Sequence, residues 1–235
     1  MTLPVDVRRI LVVVAHPDDA EFGCGGSVAQ WVAEGGEVRY CIFTNGNRGS
    51  DDPAMIPERL AAVREEEQRA AARSLAVKDV VFLGYPDGEL EDTHEARRDV
   101  VRAIRRFRPD RLVTQNPFPS LNPYSGHRDH RHAGRLALDA VYPYARDRLH
   151  FPELLAEGWP PHKVREVYLM GHDDPDTYLD ITPTMDRKLA ALRCHASQLK
   201  DVAGVEARVR ERAADLGKPH GYTYAEAFRV VSLPR

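Results

Sequence analysis

Ile10-Leu11-Val12-Val13-Val14-Ala15-His16-Pro17-Asp18-Asp19-Ala20-Glu21-Phe22-Gly23-Cys24-Gly25-Gly26 joins two unlike kinds of sequence without a spacer. Ile10–Ala15 is an unbroken apolar run, the pattern of a strand buried on both faces and therefore of a parallel sheet. It ends in His16-Pro17-Asp18-Asp19, groups that do not belong in a core. In open α/β sheets, ligands bind just beyond the carboxyl ends of the strands. Asp18, Asp19 and Glu21 crowd three acidic groups into four positions, and these repel one another unless a cation or solvent screens them. One Asp can serve as the N-cap of the following helix. That role accounts for neither His16 nor the second Asp.

Working outward, short β-branched runs alternate with helical patterns. Strands are expected at Val38–Thr44, Val80–Leu83 and Arg111–Thr114, and helices at Ser27–Glu34, Pro57–Leu75, Glu95–Phe107 and Arg131–Val141. Four strand–helix alternations predict an α/β fold of Rossmann-like, doubly wound type, a mainly parallel sheet with helices on both faces. Beyond Tyr142 the pattern weakens. Pro143–Pro161 reads as irregular, Val164–Met170 and Tyr178–Ile181 as strands, and Met185–His195 and Val205–Leu216 as helices. With no linker or repeat in view, residues 1–235 are expected to form one domain. Residues 1–142 would be its core, and 143–235 an extension over the active-site end.

A second cluster follows the fourth strand: Gly126-His127-Arg128-Asp129-His130-Arg131-His132 holds three of the ten histidines. In the doubly wound order 3-2-1-4-5, strands one and four are neighbours and the crevice between them is the switch point. Topology therefore gathers His16, Asp18, Asp19, His127, Asp129 and His130 around one crevice. Imidazole and carboxylate without thiolate suit zinc or another divalent transition metal.

Composition excludes several classes. The 235 residues carry 33 Lys plus Arg against 36 Asp plus Glu, a net charge of −3, without the basic excess of a general nucleic-acid binder. No stretch has the length of a membrane-spanning helix, and no secretion signal precedes the first strand, so the reading is cytoplasmic. Cys24, Cys41 and Cys194 are odd in number and widely spaced, which argues against a disulfide framework or thiolate zinc site. Gly23-Cys24-Gly25 after a strand invites a dinucleotide-binding reading. The intervening acids would repel pyrophosphate, and the second strand ends in Thr44-Asn45 rather than a ribose-gripping acid.

Ala15-His16-Pro17-Asp18-Asp19 together with His127-x-Asp129-His130 resembles the LmbE-like, or PIG-L, family of zinc-dependent N-deacetylases. The likeness extends over most of the chain. It takes in Thr44-Asn45-Gly46, Arg64-x-x-Glu67, Phe82-Leu83-Gly84-Tyr85-x-Asp87-Gly88, Asp180-Ile181-Thr182 and Lys188-x-x-Ala191-Leu192-x-x-His195-x-Ser197-Gln198. The resemblance implies that His16, Asp19 and His130 bind Zn2+ and that Asp18 is the general base. It makes His127 the oxyanion stabiliser or acid, with Asp129 orienting His127 and favouring its cation, and it makes Arg64 and Asp87 substrate contacts. It implies a small acylated amino-sugar substrate such as an N-acetylglucosamine compound, and a homo-oligomer. The chain departs from the pattern at Ala20, where family members often carry Glu, and at Arg128, where they often carry Pro.

Two rival readings are a metallo-β-lactamase-like hydrolase and a non-catalytic binding module on the same fold. The first wants a further His where Ser125 stands, and the second should lack a base where Asp18 is present. His172-Asp173-Asp174-Pro175-Asp176 is read as a solvated turn. His195 is left between a helix-end role and a place near the site. The loops Asn116–Gly126 and Pro143–Pro161 are expected to set substrate choice.

Overall fold

The apolar run becomes β1 (Arg9–Val14) of a computed structural model that describes residues 3–4, 7–119 and 126–234. Its side chains alternate between two cores, as a strand's period of two requires. Ile10, Val12 and Val14 enter one cluster, while Leu11, Val13 and Ala15 enter the other. Continuous apolarity thus reflects helices on both faces.

The other strands are β2 (Glu37–Thr44), β3 (Asp79–Tyr85), β4 (Arg111–Gln115), β5 (Glu166–Met170), β6 (Thr177–Asp180) and β7 (Ala225–Ser232). Their order is β3-β2-β1-β4-β5-β7-β6. β1 lies parallel to both β2 and β4, in register Val14↔Ile42 and Val13↔Thr114. The chain first builds away from β1 on one side and then returns to its other side, so the switch point falls between β1 and β4. There the Ala15 N–H donates to Gln115 Oε1 at 3.1 Å, tying the two strand ends together.

α1 (Asp19–Ala33) begins inside the first motif rather than at Ser27, and it is broken at Cys24 (φ −146°, ψ 17°). α2 (Pro57–Ser74) and α3 (His94–Phe107) lie close to expectation. α4 (Arg128–Asp139) starts three residues before the expected Arg131, with His127 as its N-cap. The other α-helices among the described residues are α5 (Pro152–Ala156), α6 (Met185–Leu192) and α7 (Val202–Gly217).

The final third widens the sheet with β5, β7 and β6, and it also brings Gln198 to the Gly49 carbonyl, beyond the carboxyl end of β2. β7, which the pattern did not reveal, inserts antiparallel between β5 and β6. Its Glu226 is buried and its Arg229 half exposed, so neither simple alternation nor a continuous apolar run marks it.

The irregular stretch after Tyr142 is stapled to α3 by Arg105, which is 1% exposed. Its guanidinium donates to the carbonyls of Tyr144, Ala145, Asp147, His150 and Phe151 at 2.8–3.3 Å. Arg105→Leu orphans the buried Ala145 and Phe151 carbonyls, each worth about 1–3 kcal/mol, while those of Tyr144, Asp147 and His150 are half-buried and can turn to water. A loss of about 2–4 kcal/mol in urea unfolding is expected. An unchanged midpoint would show that the segment orders itself without the staple.

Candidate active site

The turn after β1 and the first turn of α4 meet at His16. Its Nδ1 lies 3.2 Å from His130 Nε2 and 3.4 Å from Asp19 Oδ2, and Asp19 Oδ1 lies 3.0 Å from His130 Nε2. The His16 backbone N–H donates to Asp19 Oδ2 at 2.7 Å, which aims that carboxylate back across the turn. Donors about 2.05 Å from a tetrahedral ion lie about 3.3 Å apart. The two imidazole nitrogens stand at that spacing and each faces a different oxygen of Asp19, so this donor set suits a divalent metal with a small turn of the Asp19 carboxylate.

On its other side, His16 Nε2 lies 3.1 Å from Asp87 Oδ1 and 3.2 Å from Asp129 Oδ2. Donor atoms of His16, Asp87 and Asp129 fall within 4.8 Å of one another, as do those of His16, His127 and His130. The Asp87–Asp129 side faces the second ring nitrogen of His16. Both carboxylates there already accept backbone N–H groups, Asp129 from Gly88 (2.7 Å) and Leu90 (3.3 Å), and Asp87 from Arg48 (3.3 Å). A metal-bound imidazole characteristically donates its second N–H to such a carboxylate. Gly88 reaches Asp129 from a left-handed turn (φ 78°) that a side chain would strain.

Burial alone would depress the His16 pKa. Hydrogen bonds with the Asp129, Asp19 and Asp87 carboxylates outweigh it and push the ring up to about 12. Burial likewise opposes ionisation of Asp19, yet His130 and His16 hold it well below the usual range. A field that strongly favours a proton at His16 also favours a cation there.

Asp18 sits at the N-cap position of α1 but makes no side-chain cap hydrogen bond. Its backbone is left-handed (φ 93°), and its carboxylate takes a 3.1 Å bond from Arg64. Burial raises the Asp18 carboxyl to about 6, against the pull of Arg64. Arg64 itself is buried, its other bonds running to Gly46 O (3.0 Å) and Pro17 O (2.7 Å). A Cβ at Gly46 would collide with this guanidinium, so Gly46 makes room for Arg64. Arg64 and Asp87 therefore both bear directly on the cluster, and each is already engaged with other protein groups.

His127 is exposed at the edge, its ring centroid 4.7 Å from that of His16. One expectation about it needs correction. The Asp129 carboxylate engages His16, Gly88 and Leu90 rather than the His127 ring. The Asp129 backbone N–H donates to His127 Nδ1 at 3.2 Å instead, which leaves the proton of the neutral ring on Nε2. Burial and the neighbouring His16 and His130 lower the His127 pKa, which disfavours its cation.

Several groups behind the cluster were not singled out as site residues in the sequence. Gln68, Glu21 and His195 form a buried chain that reaches the Asp18 backbone. Glu226 accepts from the Gly26 and Ser27 N–H groups at 2.9 and 2.7 Å, capping the second half of α1 where it breaks. Lys188 pairs with Glu226 at 2.5 Å and donates to Phe22 O at 2.8 Å, binding the first half. His195, which the sequence left between a helix-end role and a place near the site, lies behind the site, while Lys188 stood only in the family motif.

His172 lies outside this site. Its Nδ1 accepts the Asp174 N–H, while Asp174 and Asp176 pair with Arg229, as a turn requires. In the loop Asn116–Gly126, expected to govern substrate choice, residues 120–125 lie outside the described residues.

The profile of the family described as PIG-L, GlcNAc-PI de-N-acetylase, matches residues 11–141. A diacetylchitobiose deacetylase of Thermococcus kodakarensis is 36% identical over 96% of this chain and 84% of its own length. The structure of an N,N'-diacetylchitobiose deacetylase from Pyrococcus horikoshii, complexed with an inhibitor, superposes with a TM-score of 0.90 at 33% identity. That match covers 97% of this chain and 85% of the other. GalB, a 4-carboxy-2-hydroxymuconate hydratase from Pseudomonas putida, superposes at 0.81 with 26% identity over 97% of both chains.

Proposed function

The chain belongs to the PIG-L, LmbE-like family of N-deacetylases, and from that premise we propose that it hydrolyses the acetamide of a small N-acetylated amino sugar, with Zn2+ at His16, Asp19 and His130. The carrying observation is the pair of imidazole nitrogens of His16 and His130, 3.2 Å apart, bracketed by the Asp19 carboxylate, with the Asp18 carboxylate on the adjoining residue. Its relatives favour a chito-oligosaccharide of the diacetylchitobiose type as substrate. No helix among the described residues is long and apolar enough to cross a membrane, and the three cysteines are free, which supports a reducing, cytoplasmic setting.

When bound, a divalent ion supplies Lewis acidity toward the acyl oxygen and lowers the pKa of water to roughly 7. The Asp18 carboxylate accepts the proton of the water that attacks the acyl carbon. A carboxyl lifted by burial to about 6 is a stronger base than an ordinary aspartate and is still ionised at neutral pH. His127 Nε2–H donates to the developing oxyanion as a neutral hydrogen-bond donor. The proton taken up by Asp18 then goes to the departing amine. Arg64 and Asp87 contact the sugar through whatever donor or acceptor capacity their internal bonds leave.

A panel of N-acetylated amino sugars assayed for released acetate tests the reading. Release is expected from N-acetylglucosamine oligomers, lost with chelator and restored by Zn2+. The likeness to GalB supports a second reading, hydration of an unsaturated acid on the same fold. Zinc-loaded protein that frees no acetate from any sugar, yet hydrates such an acid, would establish that second reading.

Asp129 holds His16 from behind, and loss of such a partner costs about 10–100-fold in metal affinity or activity. Asp129→Asn is therefore expected to weaken metal retention by about that factor, read by titration with a competing chelator. Parental affinity would mean that Asp87 alone orients the ring.

A further inference from the structure

We infer that Gln68 is a positioning residue for Asp18, and that Glu21 and His195 fix the sense in which Gln68 acts. The inference rests on the reading of Asp18 as the base.

The Asp18 backbone N–H donates to Gln68 Oε1 at 2.8 Å. Gln68 Nε2 donates to both Glu21 oxygens, at 3.0 and 3.1 Å, and His195 Nε2 lies 3.2 Å from Glu21 Oε2. Gln68, Glu21 and His195 are each 0% exposed. The residues come from α2, α1 and the turn after α6, so tertiary packing alone assembles them. That turn is pinned in its own right, since the Glu67 carboxylate accepts the Ser197 N–H and hydroxyl at 2.7 Å each.

The chain of bonds has a direction. A side-chain amide has one accepting end and one donating end. Both Glu21 oxygens lie within hydrogen-bond reach of Gln68 Nε2, and one of them also of His195 Nε2, so the Gln68 NH2 faces Glu21. The Gln68 oxygen is thereby left facing Asp18. With the amide reversed, NH2 would face N–H on one side and oxygen would face carboxylate on the other. The fixed sense matters because Asp18 is left-handed (φ 93°), a conformation that persists only where its surroundings over-determine it.

α2 grips Asp18 at both ends. Gln68 takes its backbone, and Arg64, one helical turn earlier, takes its carboxylate at 3.1 Å. The carboxylate direction is set by the backbone from which it projects. Releasing the N–H lets Asp18 relax toward ordinary dihedrals and swing its carboxylate away from the attacking water. An apolar side chain fills the volume of a buried polar one without specifying such a conformation.

Gln68→Met keeps length and removes both hydrogen bonds. It is expected to lower kcat by about 10–100-fold, the scale of a roughly 1 Å misplacement, with KM within about threefold of the parent. Metal content should stay at the parental stoichiometry. In an Asp18→Ala background the same substitution should cost nothing further, because the group it positions is gone. His195→Leu should reproduce the kcat loss, while His195→Gln, which keeps a donor toward Glu21, should largely restore kcat. The His195 pair decides the matter if Gln68→Met does not fold.

Parental kcat in both Gln68→Met and His195→Leu overturns the inference, whatever happens to the melting temperature. An equal kcat loss with and without Asp18 also overturns it. If Asp18→Ala itself turns over at the parental rate, the base assignment fails instead, and the two failures are told apart by that single variant.

Discussion

Asp18→Ala is expected to retain its metal and to lose about 10²–10⁴-fold in turnover, the range set by removal of a general base. The two halves of that result have separate causes. The proposed donors are His16, Asp19 and His130, and none of their mutual contacts runs through the Asp18 side chain. Asp18 instead meets Arg64, whose guanidinium keeps two further bonds, to Pro17 and Gly46, when the carboxylate is gone. The fold of the turn should survive, because the Asp18 backbone still donates to Gln68 and accepts from Phe22. Alanine is less at ease at φ 93° than aspartate, so Asp18→Asn is the useful companion. It keeps the backbone preference and removes only the basicity. Metal analysis and acetate release on the same samples check both halves, and parental turnover in either variant removes Asp18 from the role.

His130→Ala should fail in the opposite way, with the metal lost first and activity lost as a consequence. His130 stands 3.0 Å from Asp19 and 3.2 Å from His16, so its removal leaves two donors where a catalytic site needs three. The expected fall in affinity exceeds the roughly 10–100-fold attached to a supporting group such as Asp129. Protein purified at micromolar zinc should emerge with little bound metal and no measurable acetate release, while circular dichroism stays parental. High zinc should restore activity to His130→Ala in part and to Asp18→Ala not at all. His130→Ala protein that holds a full equivalent of zinc would shift the site to the Asp87–Asp129 side of His16.

Ile10–Ala15 could be read as a doubly buried strand because both of its faces are apolar, and that property is local. The order of strands one to four followed from general topology, and with it the meeting of His16 and His130 across more than a hundred residues. Element starts near the site were read less well, and for one reason. α1 and α4 begin inside the two motifs, where polar side chains that form the site replace the apolar spacing by which a helix is recognised. His127 caps α4 with its ring nitrogen, and the break in α1 at Cys24 is stabilised by Glu226 and Lys188 from far along the chain.

What this sequence determined by itself was the chemistry: a strand end bearing His16, Asp18 and Asp19, a second bearing His127 and His130, and a topology that brings the two together. These depend on residue type and short spacing, which a linear reading preserves. Which nitrogen of His16 faces which carboxylate, the backbone N–H that His127 Nδ1 accepts, and the buried chain from His195 through Glu21 and Gln68 to Asp18 were decided only by tertiary structure. Each depends on where separate segments point once packed. A hydrogen bond between residues 21 and 195 leaves no periodic trace in the sequence that encodes it.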